Sequence, residues 1–218
     1  MGKVHILTKE QKQVLDLIAK SSYLTSAFYF TGGTALSAFY LQHRESVDLD
    51  FFSTQRFDTQ TILTQFKDWE KKLGFEFQSE FLDPLFRCQA AFKNGEKIKI
   101  DFSYYPYKLL DERTRFHLLE VDSLMDIAVN KLMTITQRHE VKDFVDLYFL
   151  LQKFSVWDLR EGVRIKFRND LEPFVIASDF TIAESFEFLP KMIKPLTLEK
   201  MKTFFVQQAK ELGGKSVE

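Results

Sequence analysis

Between residues 75 and 104 the chain carries three runs of alternating apolar and polar residues separated by two turn signals, and that pattern admits little besides an antiparallel meander. Phe75–Phe81 reads as the first strand, Asp83-Pro84 as a turn and Leu85–Phe92 as the second strand. Asn94-Gly95 is a two-residue hairpin signal, because both residue types tolerate the positive φ such turns need. Lys97–Tyr104 is the third strand, and its alternation places Ile98, Ile100 and Phe102 on one face and Asp101 on the other.

Upstream, Thr8-Lys9-Glu10-Gln11 is a capping box, followed by Val14, Leu15 and Ile18 at helical spacing. Ala27–Thr31 reads as an apolar strand entering Gly32-Gly33, Thr34–Gln42 as a short helix and Ser46–Phe52 as a strand. Asp58 is positioned to cap an amphipathic helix through Leu73, with Gly74 just past its end. After Pro106 the strand signals fade, and helices are expected at about 122–137, 141–152, 156–170 and 196–211. The fold class is therefore α+β: a mixed sheet with flanking helices over residues 1–108, then a mostly helical part over 109–218.

Composition sets bounds on this plan. A chain of 218 residues holds one large domain or two small ones, and 45% hydrophobic with 28% charged residues is ordinary for a soluble protein. The net charge of -1 leaves only a local basic patch to attract nucleic acid. The single cysteine, Cys88, rules out an internal disulfide framework and fits a reducing, cytoplasmic setting; its place in an apolar strand favours packing. The N-terminus lacks a signal-peptide pattern, and no apolar run reaches the roughly 20 residues of a membrane span, so no membrane association is expected. The 24 phenylalanines read as core.

Candidate chemistry concentrates between Thr31 and Phe52. A Gly-Gly turn at a helix start leaves backbone N–H groups unpaired and lets a phosphate approach closely, although a plain tight turn has the same sequence. Asp48 and Asp50 share a strand face, and Arg44 and Ser46 join them if the strand reaches back that far. Two neighbouring carboxylates suit a divalent cation such as Mg²⁺ or Mn²⁺, and equally suit a solvated face with an Arg–Asp pair. Asp101 supplies a third strand carboxylate, which is what a pair of metals about 4 Å apart requires. His5, His43, His117 and His139 have no metal-ligand spacing.

Gly32-Gly33-Thr34-Ala35-Leu36, followed by Arg44-x-Ser46-x-Asp48-x-Asp50 and later by Asp101, resembles the DNA polymerase beta superfamily of nucleotidyltransferases, and more closely the AbiEii nucleotidyltransferase toxin family. A second stretch, Asp126, Lys131, Arg138, Lys142-Asp143 and Asp146-Leu147-Tyr148, is similar to that family's helical motif, with Lys142 where arginine is usual. Lysine cannot supply arginine's bidentate fork there. The likeness covers about residues 25–152. It implies a nucleotidyltransferase-like fold whose helical part contributes to the nucleotide cleft. It also implies metal-dependent transfer of a nucleotidyl group from an NTP to an acceptor hydroxyl on a tRNA, a protein or a small molecule, and a cognate antitoxin partner.

In that scheme Asp48, Asp50 and Asp101 bind metal and catalyse. Gly32, Gly33, Thr34, Arg44, Ser46 and Asp143 serve the nucleotide, and Lys131 steadies the leaving pyrophosphate. Read physically, Lys131 and Arg138 lie two turns apart, and Asp143 and Asp146 are neighbours on the next helix, which also suits a charged seam between helices. Three rival readings remain from the residues: a glycosyltransferase using Asp-x-Asp, a catalytically silent nucleotide- or partner-binding module, and a scaffold whose acidic face is merely solvated.

Overall fold

In the computed structural model residues 6–215 are described; His5 and part of the N-terminus on which the signal-peptide reading rests lie outside them. The capping box forms as expected: the Thr8 hydroxyl accepts from the Gln11 amide, and the Gln11 side chain accepts from Thr8 N, starting α1 (Lys9–Ile18). A short α2 (Ser22–Ala27), capped by Ser21, takes up the start of the expected first strand, so β1 is only Tyr29–Thr31. The helix after it is composite, one α-helical turn as α3 (Gly32–Ala35) and then a π-helical segment, Leu36–Leu41. Gln42, with φ 52°, ends it.

β2 is Leu49–Ser53, shorter at its start than the Ser46–Phe52 expected. Ser46 and Val47 make no strand ladder; their carbonyls accept from the Gln11 side-chain amide, and Val47 is 64% exposed. α4 (Thr59–Leu73) has the expected ends: Asp58 accepts from the Gln60 and Thr61 amides, and Gly74 at φ 69° closes the helix. The meander follows as β3 (Glu76–Leu82), β4 (Leu85–Ala91) and β5 (Lys97–Tyr104). Its second turn is a three-residue loop and not a two-residue one. Gly95 N donates to Phe92 O, Phe92 N donates to Glu96 O, and Gly95 takes φ 90°.

Two three-residue strands, β6 (Thr114–Phe116) and β7 (Leu119–Val121), extend the sheet where strand signals had faded. The strand order is β3-β4-β5-β2-β1-β7-β6. β2 pairs with β5 and β1 with β7 in parallel; the other neighbours are antiparallel. The helices that follow are α5 (Leu124–Ile135), α6 (Val141–Leu150), α7 (Val156–Phe167), α8 (Pro173–Thr181) and α9 (Leu198–Lys215). α7 stops three residues early because Arg168 turns left-handed at φ 55°, and α8, begun by Pro173, is an addition to the sequence reading.

The chain forms two compact units. The first comprises the residues up to Tyr40, Ser46–Tyr107 and Glu112–Ser123; the second comprises Leu41–Glu45, Lys108–Asp111 and Leu124 onward. In the first, Phe102 of β5 is the hub: its ring lies 5.2 Å from Phe51, 4.9 Å from Phe28 and 6.0 Å from Phe66 of α4, all fully or nearly fully buried. Cys88 of β4 is buried in the same unit, and burial pushes its thiol pKa up, so it packs and does not react. In the second unit Phe205 of α9 meets Phe144 of α6 at 5.2 Å and Phe180 of α8 at 5.0 Å. Among the described residues no helix is long and apolar enough to cross a membrane.

Candidate active site

The apolar face of β2 and β5 forces their intervening residues onto the other face, and strand register brings those residues into one row. Thr31 of β1 pairs with Asp50 of β2, Asp50 with Asp101 of β5, Asp101 with Arg87 of β4, and Arg87 with Glu80 of β3. The two carboxylates are thus nearest neighbours across a parallel ladder. Asp101 is buried and forked by Arg87, whose Nε donates to Oδ1 at 2.9 Å and whose Nη2 donates to Oδ2 at 3.0 Å. This hydrogen-bonded pairing raises the Arg87 pKa above its ordinary value.

Asp48 sits one residue ahead of β2, and a lysine joins it to the row. Lys99 Nζ lies 2.9 Å from Asp48 Oδ2 and 3.7 Å from Asp101 Oδ2. Burial works against the Lys99 charge, but the hydrogen bond and charge of Asp48, with the charges of Asp101 and Asp50, outweigh it and raise its pKa.

The glycine turn is shaped around Asp50. Gly32 has φ 75°, and a Cβ there would stand 2.1 Å from Asp50 Oδ2. Only glycine accepts both the backbone conformation and the carboxylate. Gly33 follows in the single turn of α3. The Thr34 hydroxyl donates to the Asp48 carbonyl, tying the turn to the segment ahead of β2. Gly32, Gly33, Thr34, Asp48, Asp50 and Asp101 are therefore gathered in the first unit. Ser46 lies in this unit too, its carbonyl held by Gln11.

Arg44, Lys131 and Asp143 belong to the second unit, where they form a buried ionic cluster. Arg44 grips Asp146 through Nε at 2.6 Å and Nη2 at 2.8 Å. His43 Nε2 is 2.7 Å from the same carboxylate. Lys131 Nζ lies 2.6 Å from both Asp143 Oδ1 and Asp146 Oδ2, and Arg138 Nε donates to Asp143 Oδ2 at 2.9 Å. Burial alone would raise both carboxylates, but the Lys131 charge, with Arg44 at Asp146 and Arg138 at Asp143, holds them below the ordinary range. The His43 pKa is lowered as well, but here burial is the cause and outweighs the opposing pull of Asp146. A similar buried pair, Lys166 to Asp126 at 2.7 Å, joins α7 to α5, and Asp126 also accepts from the Leu110 and Asp111 amides.

Among the described residues no group of three or more His, Cys, Asp or Glu side chains is arranged to hold a metal ion. The chemistry of the donor set nonetheless fits one. Asp48, Asp50 and Asp101 offer hard carboxylate oxygens of the kind Mg²⁺ and Mn²⁺ prefer. A cation, the Lys99 ammonium, already stands between Asp48 and Asp101.

Sequence reasoning missed Arg87, Lys99 and His43. Lys99 was open to it, since a residue two before Asp101 on a strand shares its face. Arg87 needed the β4–β5 register, and His43 needed the tertiary fold.

Comparison with known proteins bears on the family and the fold. The family model described as nucleotidyl transferase AbiEii toxin, type IV TA system, matches residues 16–213. An uncharacterized protein of Aquifex aeolicus (strain VF5) is 33% identical over 212 residues, 94% of this chain and 97% of the relative. Among solved structures, JHP933 from Helicobacter pylori has the same fold, with a TM-score of 0.61 at 21% identity over 96% of this chain and 94% of its own. So does MenT4, a nucleotidyltransferase toxin from Mycobacterium tuberculosis H37Rv, with a TM-score of 0.55 at 17% identity over 92% of this chain and 82% of its own. The chain belongs to the AbiEii nucleotidyltransferase toxin family, and it is a nucleotidyltransferase.

Proposed function

We propose that this protein moves a nucleotidyl group from an NTP to an acceptor hydroxyl on a tRNA, a protein or a small molecule, with Mg²⁺ or Mn²⁺, and that a cognate antitoxin restrains it. The observation that carries the reading is the register of Asp50 beside Asp101, with Gly32 held open against the Asp50 carboxylate.

Asp48 and Asp50 would hold the cation, and Asp101, oriented by Arg87, would complete the set. A divalent cation bound there supplies charge neutralisation for the triphosphate and activation of the acceptor hydroxyl. The backbone N–H groups of the Gly32–Gly33 turn would approach the phosphates, with the Asp50 carboxylate packed against Gly32. Thr34 fixes the position of Asp48 through the Asp48 carbonyl. Steadying the pyrophosphate would oblige Lys131 to leave a buried carboxylate, which is costly for a desolvated charge. Transfer is therefore assigned to Asp48, Asp50 and Asp101, with Lys131 keeping Asp143 and Asp146 ionised.

The test is label transfer from each α-labelled NTP, with Mg²⁺ or Mn²⁺, to RNA and protein fractions and to small-molecule acceptors, for wild type and Asp48→Asn. Metal-dependent labelling that disappears in a folded Asp48→Asn protein is expected. Undiminished transfer by Asp48→Asn would overturn the assignment.

A further inference from the structure

Lys99 has no role in the scheme above, yet its ammonium occupies the position a metal would contest. It reaches Asp48 at 2.9 Å and Asp101 at 3.7 Å from β5, the strand that also carries Asp101. Two cationic side chains, Lys99 and Arg87, thus engage the carboxylates of the row, and they are held differently. Arg87 makes a two-pronged fork on Asp101 from the adjacent strand, a rigid arrangement that orients the carboxylate. Lys99 is a point charge on a flexible four-carbon stem, its side chain 35% exposed, so it can leave for water without a cavity opening behind it.

We propose that Lys99 is the resident counter-cation of the site: it neutralises Asp48 and Asp101 until a metal-loaded nucleotide displaces it, so that metal binds tightly only together with the nucleotide. This rests on the transferase reading, since it presumes that a divalent cation enters at Asp48 and Asp50. A divalent ion and an ammonium repel each other at shared carboxylate oxygens, so one must yield. The free ion alone meets a site already neutralised. An ion arriving with a triphosphate brings its own anionic ligands, and the displaced lysine is released beside them. Lys99 is on this account a positioning residue that sets the order of binding.

The experiment is calorimetric titration of Mn²⁺, alone and with a non-hydrolysable NTP analogue, into wild type, Lys99→Gln, Lys99→Met, Lys99→Arg and Asp48→Asn, each checked for folding by circular dichroism. Removing a partly exposed ion pair should tighten binding of Mn²⁺ alone by about fivefold in Lys99→Gln and Lys99→Met. Lys99→Arg, which keeps the charge, should not tighten Mn²⁺ binding, and Asp48→Asn should not bind. A lysine that merely knits the strands together predicts that the analogue tightens Mn²⁺ binding equally in wild type and in the Lys99 variants, whereas displacement predicts that the analogue's advantage shrinks about fivefold in Lys99→Gln and Lys99→Met. Unchanged or weaker Mn²⁺ binding in Lys99→Gln and Lys99→Met, with wild-type binding intact, would overturn the role of Lys99 and leave the transferase reading standing. Absence of Mn²⁺ binding in every protein, with and without the analogue, would overturn both.

Discussion

Gly32 carries two demands that no other residue type meets together, a left-handed backbone and the absence of a side chain where the Asp50 carboxylate lies. Gly95 shares the first demand, at φ 90°, but a Cβ there would meet nothing within 4 Å. Comparing the two separates strain from site geometry. Each change to alanine should cost about 1–3 kcal/mol of stability through the backbone alone. Gly32→Ala should in addition push Asp50 aside and abolish nucleotidyl transfer, while Gly95→Ala should transfer normally. Urea denaturation measures the first effect, and label transfer at a temperature where both variants are folded measures the second. Normal transfer by Gly32→Ala would mean that the close approach to Asp50 is incidental to the chemistry. At this scale parity places Asp50 and Asp101 on one face, as the β2–β5 register has them, whereas Asp48 lies ahead of a strand that begins only at Leu49 and joins them through Lys99. The partnership of Arg44 with Asp146, 102 positions apart, was not readable in the sequence, because nothing local distinguishes an arginine bound for the interior from one facing solvent.

Elements with strong local punctuation were legible, and those without it were not. α4 carries an Asp cap, an apolar stripe and a C-terminal glycine, and all three appear where the sequence puts them. The meander announces itself by alternation over seven or eight residues per strand. β6 and β7 have three residues each, too few for a period of two to register, and they exist because β1 offers β7 a parallel edge. β5 shows how one element carries core residues on one face and candidate site residues on the other. Ile98, Ile100 and Phe102 enter the core while Lys99 and Asp101 face the acidic row. Phe102→Ala should therefore cost about 3–5 kcal/mol, because three aromatic partners lose their common neighbour. A lowered urea midpoint with transfer retained in whatever fraction stays folded is the expected result. A cost below about 1 kcal/mol, read from the same denaturation curve, would show that the cluster repacks freely.

Across the whole molecule, charge is sorted in a way that composition conceals. A net charge of -1 suggests evenly mixed surface charge, but Arg44, Lys131 and Lys166 are buried with Asp146, Asp143 and Asp126. The helical unit is thus built around desolvated ion pairs, and its stability must follow pH. His43 has a native pKa below its ordinary 6.5, so the unfolded chain takes up a proton first as pH falls through that value, and stability declines from there. Asp143 and Asp146 have native pKa values below 3.8, so their contribution is present above 3.8 and is lost as pH falls further, towards their native values. Two acid limbs are expected in a plot of unfolding free energy against pH, one beginning near 6.5 and one below 3.8. His43→Asn should flatten the upper limb and leave the lower one. Asp146→Asn should leave Arg44, Lys131 and His43 facing a neutral group and cost about 3–5 kcal/mol even at neutral pH. Denaturation titrations of wild type and His43→Asn across the upper limb isolate the histidine as the variable. A wild-type curve that stays flat through that limb would show that His43 keeps an ordinary pKa in the folded protein, the pull of Asp146 then balancing the cost of burial.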